Sequence, residues 1–126
     1  MKTIVNTTKA PAPIGPYNQA VRIGNLLFTS GQIALDPETG ELNTSDIITE
    51  TKLVMSNIGE ILKEAGMGFS NVVKTSIFIK DMNQFGEINK VYGSFFTENE
   101  PARETVEVAR LPKDVNIEIS VIASLD

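Results

Sequence analysis

The chain contains no cysteine and no histidine among its 126 residues. Without cysteine there is no disulfide framework, no thiol nucleophile and no thiolate metal site, and the absence suits a reducing, cytoplasmic setting. Without histidine, the commonest general base, the usual partner of a serine nucleophile and the commonest metal ligand are all missing. Any catalysis must therefore use carboxylates, hydroxyls, Lys, Arg, backbone groups or water. Long apolar runs are absent as well. None approaches a membrane span, and the opening MKTIVNTTKAPAPIGPY lacks the apolar segment of a signal peptide. Positive charge is scarce and scattered, 11 Lys and Arg against 16 Asp and Glu, for a formal net charge of −5. Phosphate backbones want a basic stripe, so nucleic acid is not the expected partner.

What is present is the length and apolar content of one globular domain, taken as residues 1–126, near the size where oligomerisation often adds stability. Residues 10–18, APAPIGPYN, read as an ordered loop or arm because proline fixes φ and Gly15 permits an awkward turn. LLFTSGQI (26–33) is strand-like and broken at Gly31, and DPETG (36–40) is a turn. From Asp46 to Ala65 the apolar residues Ile47, Val54, Ile58, Ile61, Leu62 and Ala65 share one helical face. Thr44 or Ser45 is the expected N-cap and Gly66 the residue past the C-terminus. NVVKTSIFIK (71–80) returns to strand character. A second helix is expected from Asp81, with Gln84 in a box-like cap and Phe85, Ile88, Tyr92, Phe95 and Phe96 on its buried stripe. Two closing strands, 104–109 and 116–123, follow Pro101.

This order predicts an α+β fold with both helices on one face of a sheet. Alternation places Ile117, Ile119, Val121 and Ala123 under the helices and Glu118, Ser120 and Ile122 on the other face. The strand carrying Arg103 is expected to pair with the one carrying Glu118, and Thr105 and Glu107 to share the face of Glu118. That face reads as semi-polar, either a solvated antiparallel surface or an oligomer interface.

Arg103 offers a fork of donors suited to a carboxylate or phosphate, although a lone arginine is more often a surface residue. Glu118 is either a salt-bridge partner or a group that holds and activates water. Tyr17, after Gly-Pro, supplies an aromatic wall or simple packing. Ser30 lacks a base that would make it a nucleophile, so with Gly31 it reads as a hydroxyl and backbone binding element. No glycine-rich phosphate loop or nucleophile elbow is present.

The segments APAPIGPYNQAV, TSGQI, DPETG, VVKTSIFIKDMNQF, VYGSFF and PARETVEVARLPKDVNIEISVIA resemble, in order and over essentially the whole chain, the RidA/YjgF family of reactive imine and enamine deaminases. The resemblance implies a chorismate-mutase-like two-layer fold with a mixed sheet, assembled as a homotrimer whose sheets form a central barrel with clefts between subunits. It implies hydrolysis of 2-imino acids such as 2-iminobutanoate and 2-iminopropanoate to 2-oxo acids and ammonia, without cofactor or metal. Arg103 would hold the substrate carboxylate and Glu118 would orient the attacking water. Tyr17 and Phe85 would wall the pocket, and Ser30, Gly31 and the backbone of Thr105 would donate or accept hydrogen bonds. Thr105 departs from the family, many of whose members carry cysteine there. A sensor of small carboxylic acids would also need Arg103, but it has no need of a water-orienting Glu118. Ribonuclease and chaperone-like roles are also attributed to the family, and the acidic composition and missing histidine argue against RNA cleavage.

Overall fold

The computed structural model describes residues 1–126. Its strands are β1 (Thr3–Val5), β2 (Ala20–Ile23), β3 (Leu26–Thr29), β4 (Val72–Ile79), β5 (Ala102–Glu107) and β6 (Ile117–Ser124); its helices are α1 (Ile47–Glu64) and α2 (Phe85–Gly93). The strands form one sheet in the order β1-β2-β3-β6-β4-β5. Every neighbouring pair is antiparallel except β4 and β5, which run parallel with α2 as their crossover. Both helices lie on one face, the two-layer α+β arrangement expected from the sequence.

That face holds the core. Leu27, Val54, Ile58, Ile61, Leu62, Ile79, Ile117, Ile119 and Ala123 are fully buried, and each large aliphatic side chain among them contributes about 1.5–3 kcal/mol through removal from water. The alternation expected for β6 holds, with the odd residues buried and the even ones half-exposed. A smaller cluster of Ile33, Leu35, Leu111 and Val115 packs with Phe78.

Helix α1 begins one residue later than a Ser45 cap implied, and two later than a Thr44 cap. Asp46 is the N-cap, its Oδ1 accepting from the Thr49 N–H at 2.8 Å, and this bond lowers the Asp46 pKa. Its end is as expected: Gly66 takes φ +74°, the Gly66 N–H donates to Lys63 O, and the Met67 N–H donates to Leu62 O. Those two bonds satisfy the carbonyls of Lys63 and Leu62 in the last turn. The second helix differs. Asp81 caps a separate 3₁₀ turn, Met82–Gln84, and α2 proper starts at Phe85 with no side-chain bond from Gln84. Phe95 and Phe96 fall beyond α2 and stack around Phe69, with ring centroids 5.3 and 5.7 Å apart.

The larger correction concerns β5. It pairs with β4, not with β6, so β4 separates Arg103 from Glu118. Thr75 lies opposite both Arg103 and the buried Val121, which puts Arg103 on the helix side. Thr105 and Glu107 alternate onto that same side, contrary to the expectation that they share a face with Glu118. The opposite, uncovered face instead presents Ile4, Val21, Phe28, Phe78, Val106 and Ile122 around Lys74, Ser76, Glu104, Glu118 and Ser120. Lys74 and Ser76 both bond Glu104 at 3.2 Å, and the Lys74 contact leads in lowering the Glu104 pKa. No helix is long and apolar enough to cross a membrane.

Candidate functional site

The residues singled out in the sequence fall into two groups, one on each face of the sheet. The first surrounds Glu118. Its carboxyl group lies directly over Gly31: a Cβ built on Gly31 would come within 2.7 Å of the Glu118 Cδ. Glycine there leaves room for the glutamate carboxyl group itself, and not only for an incoming ligand. The Gly31 N–H makes no hydrogen bond to another backbone or side-chain group of the chain, so it remains a free donor beside the carboxyl.

A cavity of about 60 Å³ opens next to Glu118, lined among others by Tyr17, Ile14, Leu35 and Pro112. Tyr17 is the only other titratable group in that lining. Burial, with no charged partner, pushes the Glu118 pKa up. A carboxyl group raised in this way is a better base than an exposed one once ionised, because its proton affinity lies closer to neutrality.

The arm that roofs the cavity is fixed from inside. Gln19 is 1% exposed. Its Nε2 donates to the carbonyls of Thr7, Ala10 and Pro11, and its Oε1 accepts from the Thr7 N–H at 2.6 Å. Ser30 fastens the other end of the arm, its hydroxyl donating to Asn18 O at 2.6 Å and its N–H to Gln19 O. The Ser30 hydroxyl keeps only its lone pairs for a ligand. Tyr17 is half-exposed, and its hydroxyl accepts weakly from the Ile14 N–H at 3.4 Å.

The second group surrounds Arg103 on the helix side. Its guanidinium carbon lies 5.4 Å from the Phe85 ring centroid and 5.1 Å from that of Tyr92. Its Nη1 donates to Asn89 Oδ1 at 2.6 Å. Phe85, Asn89 and Tyr92 stand four and three residues apart, so α2 presents all three on one stripe. Cation–π contact at exposed sites contributes about 0.5–1 kcal/mol each, enough to aim a side chain without burying its charge. Tyr92 is itself anchored, its hydroxyl 2.9 Å from the Thr75 Oγ1, and burial raises its pKa against the opposing pull of that bond and of Arg103. The sequence reading placed Phe85 here but missed Asn89, whose only signal is its i+4 spacing from Phe85. It also missed Gln19 and Pro112.

Thus Arg103, Thr105 and Phe85 come together on one side, and Glu118, Gly31, Ser30 and Tyr17 on the other. Two strand spacings, roughly 10 Å, and the thickness of the sheet separate the two groups within one chain.

Residues 7–125 match the family model described as Endoribonuclease L-PSP. A RutC family protein of Pyrococcus abyssi is 52% identical over 122 residues, 97% of this chain and 96% of that protein. The mouse protein named 2-iminobutanoate/2-iminopropanoate deaminase is 46% identical over 123 residues, 98% of this chain and 91% of that one. The crystal structure of E. coli TdcF with bound serine superposes with a TM-score of 0.95 at 42% identity, covering 98% of this chain and 99% of that chain. The chain belongs to the RidA/YjgF family, also called RutC or L-PSP.

Proposed function

We propose that the protein hydrolyses small 2-imino acids, the 2-iminobutanoate and 2-iminopropanoate class, to 2-oxo acids and ammonia in clefts formed between copies of itself. The observation that carries this reading is the division of the site. One chain holds an aimed guanidinium on one sheet face and a half-buried, uncompensated carboxyl on the other. A closed cyclic trimer that covers the apolar face of Ile4, Val21, Phe28, Phe78 and Ile122 would bring the Arg103 side of one copy against the Glu118 side of the next.

In such a cleft Arg103 takes the carboxylate at two points. The C=N carbon then lies toward Glu118. Glu118 removes a proton from water as the new C–O bond forms. The resulting carboxylic acid gives that proton to the nitrogen of the carbinolamine; as the C–N bond breaks and ammonia departs, the hydroxyl oxygen forms the C=O of the 2-oxo acid and its proton passes back to Glu118. The iminium carbon is already electrophilic, so positioning and one proton shuttle suffice, and no redox step or covalent intermediate is needed. Two likenesses support this: a relative that bears the deaminase name, and a structural neighbour that holds serine, itself a small carboxylate.

The test is a coupled assay in which a dehydratase generates 2-iminobutanoate and imine loss is followed with and without this protein. Acceleration that disappears in Arg103→Ala is the expected result. No acceleration, with 2-oxobutanoate still bound, would instead favour a carboxylate sensor. Light scattering should return three times the chain mass, and a monomer at micromolar concentration would remove the composite cleft.

A further inference from the structure

We propose that the Thr105 hydroxyl is a ligand-binding group that donates to the acid end of the substrate beside Arg103; this rests on the functional reading above. Thr105 Oγ1 is the one buried side-chain polar atom of the chain that has no hydrogen-bond partner. Every other deeply buried polar side chain is bonded. Gln19 holds the arm, Glu50 accepts from the Asn116 N–H and Nδ2, Thr51 donates to Ile47 O, Asn57 donates to Leu35 O, and Thr75 bonds Tyr92. A lone orphan in so well paired an interior marks a group kept for something other than the fold.

Its neighbours show that it is not needed to fasten the strand. Arg103, two residues before it on the same face, reaches Asn89 of α2. Glu107, two residues after it, accepts from the Met82 N–H in the turn before α2 at 2.8 Å. β5 is tied to the layer above at both points, and Thr105 between them makes no such bond. A half-turn of chemistry is available to it. Rotation about Cα–Cβ between staggered rotamers exchanges Oγ1 for the methyl, placing the apolar group in the niche and the hydroxyl outside it. Residues i and i+2 of a strand stand about 7 Å apart on one face, so a carboxylate gripped by Arg103 lies within reach of that hydroxyl. The ligand supplies the acceptor that the folded chain withholds. Cysteine or valine at this position would fill the niche equally well but would offer a weak donor or none.

The experiment uses intact protein with 2-oxobutanoate as the unreactive probe, read by calorimetric titration and by thermal melting. Thr105→Val removes the hydroxyl and keeps the shape. It is expected to melt at a higher temperature than wild type and to bind 2-oxobutanoate roughly tenfold more weakly, the scale of one lost hydrogen bond. Thr105→Ser retains the hydroxyl and should bind within about threefold of wild type on the same reasoning. Unchanged affinity in Thr105→Val overturns the inference. So does a lower melting temperature, which would mean that the hydroxyl is paired for the fold, or Thr105→Ser binding as weakly as Thr105→Val. Arg103→Ala separates this inference from the reading beneath it. If Arg103→Ala loses binding while Thr105→Val keeps it, only the role of Thr105 fails. If wild type and Arg103→Ala behave alike, or neither binds, the carboxylate site itself is refuted.

Discussion

The two faces of the sheet solve different physical problems. Around Glu118 the chain builds a shaped void: segments from the arm, the residues after β3 and the β5–β6 connection converge on a carboxyl group that has lost part of its water and gained no cation. Around Arg103 the chain builds an aimed charge, kept wet at the sheet edge and held by three residues of one helix. The first setting tunes proton affinity and the second fixes direction. Neither could replace the other, because a void deep enough to raise a carboxyl pKa would strip an arginine of solvent at great cost. Dividing the labour between faces lets both settings exist in a chain of this size, provided that a second copy joins them.

The sharpest way to break this comparison is to disable one half in each of two populations. Arg103→Ala and Glu118→Gln should each lower imine hydrolysis by roughly 10²-fold or more, the first through lost positioning of the carboxylate and the second through lost general acid–base help. Co-refolding them in equal amounts should restore up to about a quarter of wild-type activity, since random mixing pairs an intact Arg103 face with an intact Glu118 face at one cleft in four. No recovery in mixed trimers would place both halves within one chain.

Gly31→Ala attacks the void alone. The new Cβ meets the mobile end of the Glu118 side chain, which can swing away, so the protein should fold with little change in melting temperature. The displaced carboxyl should lower kcat by roughly tenfold to a hundredfold. A large fall in melting temperature with intact kcat would show that the contact serves packing instead. Asn89→Ala attacks the aim alone. It removes one charge-assisted bond from Arg103 and should raise KM about fivefold with kcat nearly unchanged, while Asn89→Asp, which preserves the acceptor, should recover most of the loss.

The smallest effect concerns pH. The folded-state pKa of Glu118 is raised by burial. The native state therefore holds this proton more tightly than the unfolded chain, and stability falls as pH rises from the unfolded carboxyl range through the folded value. Glu118→Gln removes that penalty. Its melting temperature should exceed wild type slightly at pH 7 and match it near pH 4, as differential calorimetry at the two pH values can show. In wild type the same raised pKa should place the acid limb of the kcat profile above that of an exposed glutamate.

Much of this division was legible as residue types and little of it as geometry. The β-branched run of β4, the apolar stripe of α1 and the alternation in β6 each announced their elements. The pairing of β5 did not follow, because consecutive strands are usually read as hairpin partners. The nine residues between Glu107 and Ile117 already told against that, being too many for a tight turn and including Lys113 and Asp114, both at φ 55°. The intervening α2 makes β4 and β5 a parallel crossover unit, which carries Thr105 and Glu107 to the helix face. β1 and β2 went unread because three and four residues are too few for alternation to stand out. Asn89 looked like any solvated helix residue, since its meaning lies in a strand fourteen residues further on.

Gln19 has a consequence for how this scaffold could be re-engineered. The shape of the arm is dictated from the interior, by one amide that grips Thr7, Ala10 and Pro11, and by Ser30, which closes the far end at Asn18. Between those two staples, Ala12 and Ile14 line the cavity, and the stretch from Ala12 to Pro16 bears almost none of the arm's fastening. Ile14 there is 60% exposed. The stretch behaves as an interchangeable visor: its length and side chains are the natural place to graft diversity when a library seeks bulkier substrates, because loop tips tolerate such change when their anchors are left alone.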